Sequence, residues 1–157
     1  VLFLDPNRDP LGGGYHLLQS KIAIGSGGFL GTGLLQGKLT NLQFIPEQHT
    51  DFIFSALGEE LGFLGCIIVL FLFFFLIKKL INIAKYARSK FESLIVIGIA
   101  AIFLFQIIIN LFMTIGLGPV TGIPLPFMSY GRTSMVINFI SIGFVLSTLK
   151  RSRSLRS

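Results

Sequence analysis

Beyond Phe52 the chain alternates long apolar runs with short polar interruptions, and the run lengths predict the elements. Residues 94–117 are uncharged for 24 positions, residues 61–77 for 17 and residues 135–149 for 15. A helix that crosses a bilayer needs about 20 mainly apolar residues. The middle run meets that length outright. The first meets it when extended back to Phe52 across Glu59 and Glu60, and the third when extended back through Phe127 with Arg132 at the interface. The pattern therefore predicts an all-α polytopic membrane protein. Its transmembrane helices fall over 52–77, 94–115 and 134–149, with loops at 78–93 and 116–133 and a tail at 150–157. A soluble helical bundle fits runs of this length poorly.

Residues 1–51 break the pattern. They form a long Gly-rich loop in which YHLLQSKIAI reads as a short helix whose apolar positions do not line one clean face. GSGGFLGTG, residues 25–33, follows with five glycines in nine positions, which suits tight turns and close backbone approach. The Phe, Ile and Leu among the polar residues argue against disorder. The opening VLFLDPNRDP passes from apolar to polar without a Met, as expected of a piece that follows an earlier span.

The predicted spans carry polar and small side chains in register. Projected at about 100° per residue, Asp51, Ser55, Gly58, Gly62 and Gly65 share a face of the first span, with Glu59 close to it and Glu60 opposite. Gln106, Asn110 and Thr114 line the second, and Ser134, Asn138, Ser141 and Thr148 the third. Such stripes either pack helices together in lipid or line a polar cavity. The segment GLGPVTGIPLPFMSYGRTS is too rich in Pro and Gly for a regular helix, which at membrane depth requires burial in protein or a cavity wall.

Charge adds orientation. Hydrophobic residues make up 52% of the chain and charged ones only 13%, with a net charge of +6. Lys78, Lys79, Lys85, Arg88 and Lys90 follow the first span, and Lys150, Arg151, Arg153 and Arg156 follow the third. Both groups fall on one side of a three-span chain, which the positive-inside rule marks as cytoplasmic. Residues 1–51, with Asp5, Asp9, Glu47 and Asp51, are then external, although Arg8, Lys21, Lys38 and Arg132 share that side. This placement explains the net charge without nucleic acid and leaves the basic tail near anionic lipid heads. Cys66 is the single cysteine and lies mid-span, which excludes a disulfide within the chain.

Candidate chemistry gathers at the edge of the first span. In PEQHTDFIF, Glu47, His49 and Asp51 alternate just before the apolar run. Asp51 fits a helix start, where a carboxylate is favoured by about 0.3–1 kcal/mol, and His49 and Glu47 fit a polar loop. The same three side chains could also collect a divalent cation, magnesium or manganese. Glu59 and Glu60 lie deeper, where ionisable groups face a bundle or a wet cavity. There is no G-x-S-x-G, H-E-x-x-H, Walker loop or zinc spacing.

Three strings in order, AIGSGGFLGTG, FIPEQHTDFIFSALGEELG and GIPLPFMSYG, resemble the C-terminal part of the SEDS family, the RodA and FtsW proteins of bacterial cell-wall synthesis. PEQHTDFIF is closest in wording to the RodA branch. Arg132 departs from the pattern by standing where the family continues SYG with a second glycine. The resemblance implies a bundle of about ten spans in the bacterial cytoplasmic (inner) membrane, of which this chain holds the last long external loop and the last three spans. It implies a peptidoglycan glycosyltransferase that polymerises lipid II for cell elongation and shape, beside a class B penicillin-binding protein. Asp51 would be the catalytic base, with His49 and Glu47 orienting the site and Lys21 facing the undecaprenyl pyrophosphate leaving group. Glu59 joins them as a candidate substrate contact. A lipid-precursor flippase and a non-catalytic scaffold or fragment are the competing classes.

Overall fold

The computed structural model describes residues 13–33, 51–119 and 121–153. Among these residues four helices follow in order: α1 (Gly13–Ser26), α2 (Ile53–Lys85), α3 (Lys90–Ile115) and α4 (Arg132–Arg153). Three of them, α2, α3 and α4, are long and apolar enough to cross a membrane. In hydrocarbon only a helix satisfies each backbone group within its own segment. The basic residues Lys78, Lys79 and Lys85 ride on the last turns of α2, so the connection to α3 is short, residues 86–89.

Helix ends follow from local sequence. Ser89 caps α3, its Oγ accepting the Glu92 N–H at 3.1 Å, with the Ser-x-x-Glu spacing of a capping box. At the other end Gly116 turns left-handed, φ 78°. The Gly116 N–H donates to Met113 and the Leu117 N–H to Phe112, which closes the helix as a Schellman motif.

The core lies along α2 and α3, where Phe73, Ile77 and Leu80 meet Val96, Phe103 and Ile107. α1 lies over the small-residue stripe of α2 and is tied there by hydroxyls. Ser20 Oγ donates to the Thr114 carbonyl at 2.7 Å, so the 2.5 Å contact between Ser20 and Ser55 is donated by Ser55. α4 joins through Val145 and through Phe127, whose ring packs edge-on between Phe103 and Phe139 at 5.4 and 5.9 Å. Phe127 has φ 62°, a strained conformation for a bulky residue that this double packing holds in place.

α2 is two helical sections spliced at a break. Gly62 has φ 66° and ψ −165°, a region open essentially only to glycine. In an unbroken helix the N–H groups of Phe63 and Leu64 would bond the carbonyls of Glu59 and Glu60. The break orphans all four groups, and the Gly-rich turn after α1 supplies a partner for each. Phe63 donates to the Gly28 carbonyl and Leu64 to Phe29, while Thr32 donates to Glu59 and Gly33 to Glu60, at 2.9–3.2 Å. The Thr32 hydroxyl adds a bond to the Glu59 carbonyl at 3.0 Å. Side chains cannot fit in this seam. A Cβ on Gly27 would strike the Gly58 carbonyl, one on Gly31 the Glu60 carbonyl, and one on Gly62 the Gly31 nitrogen. The glycines of GSGGFLGTG and of GEELG thus fit one another, and the small-residue stripe of α2 serves close packing.

Candidate active site

Asp51 stands two residues before α2 and is half-buried, beside the end of α3 and the irregular segment that leads to α4. That segment is folded rather than loose. The Leu125 N–H donates to Ser129 Oγ at 2.7 Å and the Ser129 N–H returns to the Leu125 carbonyl at 3.1 Å. Leu125, Pro126 and Ser129 are buried. Gly122, at φ 66°, turns this segment past Asp51, and a Cβ there would lie 3.2 Å from Asp51 Oδ2. The carboxylate therefore faces the space that a side chain on Gly122 would fill.

Asn110 joins the two pieces. It is fully buried on α3, and its Nδ2 donates to the carbonyls of both Asp51 and Ile123 at 2.9 Å. Its Oδ1 is buried with no hydrogen-bond partner among the described residues. The sequence singles out Asn110 only as one member of a polar stripe. Its spacing signals an inward face, and nothing in it names the partners.

Lys21 projects from α1 at the same end of the bundle. A Cβ on Gly116 would meet its Cε and Nζ, so the ammonium lies at the C-terminus of α3, where the helix dipole favours a cation. Asp51 and Lys21 thus border one irregular segment at Gly122 and Gly116. Glu59 is buried in the first section of α2, and its carbonyl oxygen anchors Thr32. Arg132 is exposed as the first residue of α4. Glu47 and His49 lie outside the described residues. Among the described residues no three His, Cys, Asp or Glu side chains converge to hold a metal ion.

The opposite end carries a different chemistry. Arg151 pairs with Glu92 at 3.5 Å, and Ser152 Oγ donates to the Tyr86 carbonyl, joining the end of α4 to the α2–α3 turn. Lys78, Lys79, Lys85, Arg88, Lys90 and Lys150 are exposed around it. One end is basic, and the other holds the Asp51 carboxylate against a Pro/Gly wall.

The arrangement defines a helical membrane protein with a carboxylate fixed at one end of its spans. Residues 1–154 match the model of the FtsW, RodA and SpoVE family, described as cell cycle proteins, and the chain belongs to that family. It is 45% identical over 147 residues to the peptidoglycan glycosyltransferase MrdB of Escherichia coli, covering 94% of this chain and 40% of that protein. It is 45% identical over 149 residues to the peptidoglycan glycosyltransferase RodA of Treponema pallidum, covering 94% and 34%. Against stage V sporulation protein E of Bacillus subtilis it is 42% identical over 151 residues, covering 96% and 41%. The fold is similar to a chain in a solved peptidoglycan synthase complex, with TM-score 0.80 and 32% identity over 96% of this chain and 40% of that one. The chain thus spans 34–41% of the length of these relatives. It is a multi-pass membrane protein.

Proposed function

We propose that this chain is the catalytic C-terminal part of a peptidoglycan glycosyltransferase that polymerises lipid II during cell elongation, with Asp51 as general base. The observation that carries the reading is Asp51 at one end of the spans, its main-chain carbonyl held by Asn110 and its carboxylate facing Gly122. The glycosyltransferases among its relatives support the chemistry. In the step proposed, Asp51 takes the proton of the acceptor GlcNAc 4-hydroxyl. The oxygen attacks the anomeric carbon of the donor MurNAc with inversion. The bond from that carbon to the pyrophosphate breaks, and its electron pair leaves with undecaprenyl pyrophosphate. A base positioned in this way contributes about 10²–10⁴-fold.

Lys21, on α1, borders the same segment and supplies positive charge for the departing pyrophosphate. His49 and Glu47 orient the sugar side of the site. The Asp51 end faces outward from the bacterial cytoplasmic membrane, the basic end lies in the cytoplasm, and a class B penicillin-binding protein crosslinks the product. The test is glycan-strand formation from labelled lipid II by the full-length protein with that partner. Asp51→Asn is expected to lower polymer by at least about 10²-fold; polymer equal to wild type would remove Asp51 as the base.

A further inference from the structure

We propose that Asn110 is the positioning residue for the Asp51 carboxylate, holding it through the main chain rather than touching substrate. The proposal rests on the reading of Asp51 as the base and extends it to a neighbouring helix. Asn110 is 0% exposed, so each of its polar atoms must find a partner inside the protein or go without. Its two N–H groups go to two carbonyls, of Asp51 and Ile123, which lie 59 and 13 positions away in the chain. Neither carbonyl lies within a helix, because α2 begins at Ile53 and residue 123 falls between α3 and α4. One carboxamide thus satisfies two carbonyls and locks the residue bearing the carboxylate to the segment that carries Gly122.

The two carbonyl partners identify which half of the side chain is in use, and Oδ1 has no partner among the described residues. An asparagine serving as interhelical glue would engage its oxygen as well. Among the described residues only its pair of donors is engaged. Ser and Thr offer one donor, Asp in its ionised form none, and Leu none. Gln carries two donors on a longer arm. Residue type, burial and partners all converge on a clamp that sets where the Asp51 carboxylate stands relative to Gly122. Misplacing a catalytic group by about 1 Å costs about 10²-fold.

The test uses the full-length protein with its penicillin-binding partner in lipid vesicles and labelled lipid II as probe. Asn110→Leu and Asn110→Asp both remove the paired donors, the second with almost no change of shape. The expected result is turnover at saturating lipid II reduced about 10–100-fold, with KM within about twofold of wild type and the stoichiometry of bound lipid II per protein unchanged. A merely structural role would lower the bound stoichiometry in step with turnover, and that result would overturn the proposal. Should Asn110→Leu not accumulate in the membrane, Asn110→Asp decides. Wild-type turnover in the Asn110 variants beside a dead Asp51→Asn ends the positioning role and leaves the base assignment standing. Wild-type turnover in Asp51→Asn ends both.

Discussion

Two irregular segments dock onto the helices, and they are held in opposite ways. The Gly-rich turn of residues 27–33 is joined to α2 by four main-chain hydrogen bonds and by glycines that allow the backbones to touch. The segment between α3 and α4 is joined to Asp51 by one side chain, Asn110. The first seam uses groups every residue possesses, and only an added side chain disrupts it. The second includes a bridge that only a carboxamide's paired donors can make. Among the described residues, rigidity near the break in α2 is thus spread over many main-chain bonds, while a single carboxamide bridges Asp51 to the segment that follows α3.

The comparison is broken most directly at Gly62. Gly62→Ala forces a Cβ into the Gly31 nitrogen at a conformation closed to alanine, and should destabilise the protein by about 3 kcal/mol or more. The unfolding midpoint in a detergent titration measures this, and a shift below about 0.5 kcal/mol would mean the splice does not form. Gly122→Ala sharpens the contrast at the other seam. Its Cβ would lie 3.2 Å from Asp51 Oδ2, and its positive φ adds about 1–2 kcal/mol of strain. Glycan polymerisation should fall about 10-fold, more than that loss of stability explains at temperatures where the protein stays folded.

Smaller effects grade the first seam. Thr32→Val removes the hydroxyl bond to the Glu59 carbonyl and leaves the main-chain bonds in place. It should cost about 1 kcal/mol, read from the same titration, with polymerisation intact. Arg151→Ala tests the far end. Arg151 is 68% exposed and its pair with Glu92 is long, so the expected change is under about 0.5 kcal/mol. A larger loss would mean that the basic end, too, is held by few contacts.

The three apolar runs made the membrane-crossing helices legible, because lipid leaves the backbone no other regular choice over such lengths. YHLLQSKIAI was legible as helical although its pattern lacks a clean face. α1 packs by small and hydroxyl residues, Ser20 and Ala23, that hydrophobic periodicity does not register. The break at Gly62 was not legible. GEELG reads as a helical interruption of charge, and its partner lies 27 or more residues earlier, at Gly28 to Gly33. Only the fit between two glycine clusters carries that information, and it is a property of the pair. At the site, Asp51 stood out as a carboxylate at an apolar edge. Asn110 stood out only as a polar face, because the carbonyls it binds belong to the main chain and leave no trace in residue identity.

The splice in α2 also bears on how the chain is made. A broken helix entering hydrocarbon would expose two donors and two acceptors, each costing several kcal/mol. Residues 28–33, which satisfy them, precede Gly62 in the chain and therefore leave the ribosome first. The complement of the break is thus synthesised before the break itself. The order of the segments allows α2 to be inserted bent, without a later repair.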